Sequence, residues 1–179
     1  MRRVRALACA LALAIAVAAT AFAADPLAGV VLDDDDGHPR KLDELAGSPV
    51  LVVVADRRAA EQANAWGTRL AAGAPTLTAW RAPGSVAWLS IVDGRGVPEY
   101  ARDTARKTVR ERNADPERRR RATFLLDWEG VLAERLESQR GRVLLVLLSR
   151  DHVPFARAGG EPTDEAVAHL LEAITSVAR

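Results

Sequence analysis

The 179-residue chain contains one cysteine, Cys9. It falls inside an N-terminal apolar run, so the rest of the chain supplies no thiol for a disulfide, a thiolate nucleophile or a cysteine-ligated metal. Histidine is nearly as scarce. His38, His152 and His169 are scattered, and their spacing makes no metal signature. No G-x-S-x-G elbow marks a hydrolase nucleophile. Beyond the N-terminus no stretch is apolar enough to span a bilayer. Cationic charge has no surplus either, with 25 Lys and Arg against 24 Asp and Glu. Global charge therefore gives no attraction to nucleic acid or anionic lipid. Internal repeats and low-complexity linkers are also missing.

What is present first is an address. "MRRVR" is a short basic segment, "ALACALALAIAVAATAF" an apolar one, and Ala21-Phe22-Ala23 an A-x-A site. That order is the secretory signal pattern. An uncleaved membrane anchor is the alternative, since the run lies near the lower limit for a span. Lipidation at Cys9 fails, because most of the apolar run follows Cys9 rather than preceding it. The expected domains are a signal peptide, 1–23, and one domain, 24–179, exported to the periplasm. Cleavage would leave 156 residues without a thiol. It would also remove Arg2, Arg3 and Arg5, leaving 22 cationic residues against 24 acidic ones, a net charge of −2. An exported domain without disulfides must draw its stability from an apolar core, and this length is enough for one.

The remaining pattern alternates strand and helix. "LAGVVLDDDDGHPRKLDELAG" reads as a short strand, a polar turn and a short amphipathic segment. Val50 to Ala55 reads as a buried strand. The following helix carries Ala59, Ala63, Trp66 and Leu70 on one face and ends at Gly73 and Pro75. A strand is predicted over Val86 to Val92, a polar helix with a weak apolar stripe over Pro98 to Arg112, and a strand over Ala122 to Asp127. Residues 143–148 and 153–158 read as a hairpin around Ser149 to His152. A last helix starts at Thr163 as N-cap and buries Val167, Leu170, Leu171, Ile174 and Val177. This order predicts parallel strands covered by helices, with antiparallel strands added by the closing hairpin.

"LDELAGSPVLVVVAD" resembles the thioredoxin-superfamily pattern in which a short segment precedes the first core strand. Three further stretches, "VADRRAAEQANA", "FLLDWEGVLAERLESQRG" and "VLLVLLSRDHVPFARAGGEPTDEAVAHLLEAI", are similar to YtfJ-like periplasmic proteins in order and spacing. Together with their connections they cover most of residues 50–174. The resemblance implies an α/β, thioredoxin-like three-layer fold, a mixed central sheet flanked by helices, without the active-site cysteines. The chain departs from that family at Arg150-Asp151-His152, which replaces a glycine-bearing acidic turn.

Aligning Gly47-Ser48-Pro49-Val50 with the thioredoxin pattern places Ala59 and Gln62 at the two cysteine positions. Neither side chain can attack through sulfur. Redox thioredoxins also place a cis-proline before the facing strand, where this chain has Gly141-Arg142. The expected function is a non-catalytic binding or accessory module of the periplasm. The alternative is a thioredoxin- or peroxiredoxin-related oxidoreductase, which fold likeness alone supports. A nucleic-acid regulator is opposed by export.

Arg57 and Arg58 stand beside a helix N-terminus, with Asp56, Glu61 and Asn64 adding polar options, so an anionic group could dock there. The competing reading has Asp56 capping the helix and both arginines solvated. The expected partner is a periplasmic protein or small anionic ligand, with no cofactor, metal or nucleic acid. Asp33 to Gly37 fails the calcium-loop pattern, because alignment on Gly37 puts Leu32 at the first ligand position. Arg118 to Arg121 read as a solvated face or a contact for an acidic protein. Trp66, Trp80, Trp88 and Trp128 read as core or boundary residues, with an aromatic ligand platform as the alternative.

Overall fold

A computed structural model describes residues 25–179. The predicted signal segment and Cys9 lie outside the described residues. Eight strands form one mixed sheet. They are β1 (Val31–Asp34), β2 (Pro39–Lys41), β3 (Val50–Ala55), β4 (Leu77–Thr78), β5 (Val86–Asp93), β6 (Thr123–Asp127), β7 (Leu144–Leu148) and β8 (Pro154–Gly159). The helices are α1 (Ala60–Gly73), α2 (Glu99–Arg112), α3 (Pro116–Arg121), α4 (Val131–Arg135) and α5 (Asp164–Val177). Short 3-10 turns occupy Leu42–Leu45 and Arg57–Ala59. The strand order is β2-β1-β6-β5-β3-β7-β8, with β4 beside the start of β5.

The centre of the sheet is parallel. β3 pairs with β5, and β5 with β6. β7 runs antiparallel to β3, and β8 antiparallel to β7. The continuous apolar run of β3 follows from burial on both faces, since alternate side chains point to opposite layers. Leu51 and Val53 meet Trp66 and Leu70 of α1 and Leu170 and Ile174 of α5. Val50, Val52 and Val54 meet Leu42, Leu45 and Leu132 in the second layer. Trp66 is fully buried, and its indole N–H donates to the Gly160 carbonyl across 2.8 Å. Thr163 caps α5 by accepting the Ala166 N–H.

Two details differ from the sequence expectations. The last helix also buries Ala173, while Leu171 and Val177 pack at the edge of the core. The run Arg118 to Arg121 forms most of α3, with Asp115 as its cap and Pro116 at its first position. Most of that run faces inward: Arg118 bonds Asn64, Arg119 bonds Asp35, and Arg121 bonds the Ala71 carbonyl. The acidic stretch is the turn of the β1–β2 hairpin, in line with its reading as a polar turn. Asp34 and Asp35 are buried, and Arg40, Arg106, Arg110 and Arg119 surround the turn.

Helix α2 buries no residue completely, as its weak stripe foretold. Only Val109 joins the core margin. Charge fastens the rest: Arg102 to Glu129, Arg106 to Asp33, and Arg110 to Asp36 and the Asp35 carbonyl. Trp128 lies under Arg102 and Arg106, with guanidinium carbons 5.5 and 5.9 Å from the ring.

Candidate functional site

The carboxyl ends of the parallel strands are where open α/β sheets place ligands. Here that edge carries a row of aspartates. The registers pair Ala55 with Val92 and Asp93 with Asp127, so Asp56, Asp93 and Asp127 stand side by side. Each one fastens the loop that follows it. Asp127 accepts the N–H groups of Val131, Leu132 and Ala133, all at 2.9 Å, and so starts α4. Asp93 accepts the Arg95 N–H and guanidinium, the shortest contact being 2.6 Å. Burial pushes the Asp93 carboxyl up, but its bonds to Arg95 and the Arg95 and Arg140 charges outweigh that and hold it below the ordinary range. The same pair raises the Arg95 guanidinium.

Asp56 differs from the other two in also bonding a distant loop. One oxygen accepts the N–H groups of Arg58 and Ala59, each at 3.0 Å. The other accepts the Gly141 N–H at 3.0 Å. One turn later the Gln62 side-chain oxygen accepts the Val143 N–H at 3.2 Å. Thus Ala59 ends the 3-10 turn before α1, Gln62 lies in the first turn of α1, and Gln62 meets the loop before β7. Ala59 is completely buried and Gln62 half-buried. Gly141 adopts φ 77°, a left-handed conformation suited to glycine, and this aims its amide at Asp56. The polar groups at this junction that are bonded in this way link the helix start and the loop to each other.

The Arg58 and Ala59 N–H groups are therefore not available beside the two arginine side chains, because Asp56 accepts them. This corrects one part of the anion-docking expectation. Both arginine side chains are exposed and have no partner among the described residues. Glu61 is exposed, and Asn64 is committed to Arg118 through a 2.7 Å bond. Arg142 was not singled out by sequence reasoning. Its only signal was its place in the loop expected to face Gln62.

The other polar cluster surrounds the acidic turn. Asp34 accepts the Asp36 and His38 N–H groups and the Arg40 guanidinium. Burial raises its pKa, but these bonds bring it below the ordinary value. A cavity of about 350 Å³ adjoins the turn, lined in part by Trp80, Arg40, Arg119 and Phe124. Among the described residues no group of three His, Cys, Asp or Glu side chains is placed to hold a metal. His152 is buried far from the junction. It adopts φ 55° in the turn where the resembled family carries glycine, and its ring contacts Asp25 and the Leu45 carbonyl.

With this geometry established, solved structures identify the architecture. Xanthomonas campestris peroxiredoxin Q superposes with a TM-score of 0.58 at 11% identity, covering 86% of this chain and 94% of that one. The fold is thioredoxin-like. The dsbF protein of MTB gives 0.57 at 13% identity, with 86% and 98% coverage. The exposed lipoprotein thioredoxin of Streptococcus pneumoniae gives 0.56 at 15% identity, with 80% and 97% coverage. Identities this low establish the fold alone. No family model matches the chain, nor does any curated protein. Among the described residues no helix is long and apolar enough to cross a membrane.

Proposed function

We propose that the chain is an exported thioredoxin-like protein of YtfJ-like type that acts in the periplasm as a non-catalytic binding or accessory module. One observation carries the reading. At the two positions where the redox alignment calls for cysteine, Ala59 is sealed in the core and Gln62 bonds the facing loop. Thiol–disulfide exchange needs an accessible thiolate that can attack a disulfide sulfur. Residues 24–179 contain no cysteine. The binding residues in this reading are Arg57, Arg58, Glu61 and Asn64, on the exposed side of the same junction.

The names of the structural neighbours favour a second reading, a thiol oxidoreductase of the same fold. Its chemistry would have to come from a residue other than cysteine once the signal is removed. A chain beginning at Ala24 decides between the two. It is expected to show no insulin reduction and no peroxide consumption above buffer. Turnover of either substrate by that chain would overturn the binding-module reading.

A further inference from the structure

We propose that the exposed face formed by Arg57, Arg58 and Arg142 binds an acidic segment of a partner polypeptide; this rests on the binding-module reading and specifies its ligand chemistry. The fold satisfies most of its arginines internally. Arg40, Arg95, Arg106 and Arg119 pair with carboxylates, while Arg121 and Arg135 donate to main-chain carbonyls. Arg57, Arg58 and Arg142 are exposed and have no acceptor among the described residues. They come from two loops 85 residues apart in sequence that one bond, Gly141 to Asp56, brings together. Arg140, on the other side of Gly141, donates to the Arg95 carbonyl and so keeps its charge at the same rim.

The nearby acids do not neutralise this face. Asp56 turns its carboxylate onto three main-chain N–H groups. Glu137 lies 3.8 Å from Arg157. Glu61, exposed on the first turn of α1, and Glu161, exposed beside the Gly160 that Arg142 approaches, are two carboxylates against three arginines without an acceptor and Arg140.

The same bonds decide which anion fits. A small anion at a helix start is held by main-chain N–H groups. Here the Arg58, Ala59 and Gly141 amides already serve Asp56, which adds a negative charge to that position. Recognition is left to guanidinium side chains spread over two loops, and their forked donors match carboxylates. An extended chain bearing several carboxylates reaches more than one of them. A groove of about 460 Å³ continues the face past Arg142 along Gln139, Val143–Leu144 and Ala158–Gly159.

A lipid surface fits less well. Peripheral membrane binding couples cations to inserted apolar side chains. Among the described residues the exposed large apolar ones are Val31, Tyr100, Val131, Val153 and Phe155, and none belongs to the two loops.

Fluorescence anisotropy with labelled decaglutamate and a chain starting at Ala24 tests the proposal. Decaglutamine and phosphatidylglycerol vesicles form the other arms. Binding to decaglutamate is expected at low salt and should weaken as salt rises. The variant Arg57→Ala/Arg58→Ala/Arg142→Ala should bind at least about tenfold more weakly, as expected for loss of charge-assisted bonds, with an unchanged melting temperature. Arg81→Ala/Arg150→Ala removes two exposed arginines that lack partners elsewhere, and it should bind like the parent. Absence of decaglutamate binding, equal loss in both variants, or vesicle binding without peptide binding would each overturn the proposal. None of these outcomes bears on the missing redox activity, which the insulin and peroxide assays decide separately.

Discussion

The Gly141 amide donates to the Asp56 carboxylate across 3.0 Å, tying the loop before β7 to the start of α1. The other oxygen of the same carboxylate caps the helix start. Asp56→Ala removes the acceptor of three N–H groups at once. Losing an N-cap costs about 0.5–2 kcal/mol, and the unpaired Gly141 amide adds on the order of 1 kcal/mol. Urea unfolding should show a loss of roughly 2 kcal/mol, compatible with those two contributions. A change below about 0.5 kcal/mol, the usual range for surface substitutions, would show that the carboxylate only decorates the surface.

Restoring thiols should not restore redox chemistry. Ala59 has no exposed surface and Gln62 is bonded to the facing loop. A thiol at position 59 would be covered by protein, and attack on a disulfide requires access. With dithiothreitol present, the variant Ala59→Cys/Gln62→Cys should leave insulin reduction at its uncatalysed rate. Catalysed reduction would show that the junction is an intact redox site lacking only its sulfur atoms.

The sequence made the layered core legible and left its fastenings obscure, for physical reasons. The strands β3, β5 and β7 are apolar runs long enough to identify, and Trp66 and Leu70 follow helical spacing. Those signals are local. Helix α4 is only five residues long, and its first turn is satisfied by Asp127 from the preceding strand, so no periodicity announces it. Helix α3 lacks an apolar stripe, although Asp115-Pro116 was a readable start signal. The acidic turn was legible as a polar turn, but its arginine partners were not, because they arrive much later: Arg106 lies 73 residues from Asp33, and Arg119 lies 84 from Asp35. At the site, the slots of Ala59 and Gln62 were legible from alignment, but the direction of the Asp56 carboxylate was not.

Salt should loosen α2 selectively. Its attachment rests on Arg102, Arg106 and Arg110, with no fully buried residue. Raising ionic strength shortens the screening length from roughly 10 Å at 0.1 M to 3 Å at 1 M. Hydrogen exchange of amides 99–112 should accelerate with salt while amides of β3 stay protected. Trp128 fluorescence should shift in parallel, since two of these arginines cover its ring. Uniform protection across the salt range would show that Val109 packing is the dominant anchor.

Acid should weaken the fold through Asp34 and Asp93. Burial raises both carboxyls, but hydrogen bonds and arginine charges outweigh it, so both lie below the ordinary 3.8. A group whose folded pKa is depressed binds its proton more weakly in the folded state than in the unfolded one. Its stabilisation is therefore fully present above the unfolded pKa and disappears as pH falls through the folded value. Urea midpoints should hold steady above about pH 5 with respect to these groups and decline below about pH 4. Asp93→Asn should start less stable and show a shallower acid decline. Parallel curves for parent and variant would exclude Asp93 as a contributor.

His152 gives a case in which two opposing effects can be ranked. At φ 55° a non-glycine residue is strained, by roughly 1–2 kcal/mol. Replacement with glycine relieves that strain, and backbone conformation alone predicts a gain. The side chain predicts the reverse. It is only 2% exposed, and it contacts the Asp25 carboxylate at 2.9 Å and the Leu45 carbonyl at 3.2 Å. Removing it vacates the volume of an imidazole and takes the ring contact from the Asp25 carboxylate and the Leu45 carbonyl. The Leu45 carbonyl is a buried acceptor, and leaving it unpaired costs about 1–3 kcal/mol; the exposed Asp25 carboxylate can turn to water, and the vacated imidazole volume adds the loss that tips the balance against the strain relieved. His152→Gly should therefore lower stability by roughly 1–3 kcal/mol after the two terms are set against each other. The loss should be accompanied by faster proteolysis near Asp25, because the ring helps hold the Asp25–Val30 segment against the hairpin turn. Asp25→Asn keeps the Leu45 contact and should cost less. A His152→Gly protein as stable as the parent would mean that backbone strain, rather than the two ring contacts, dominates this turn.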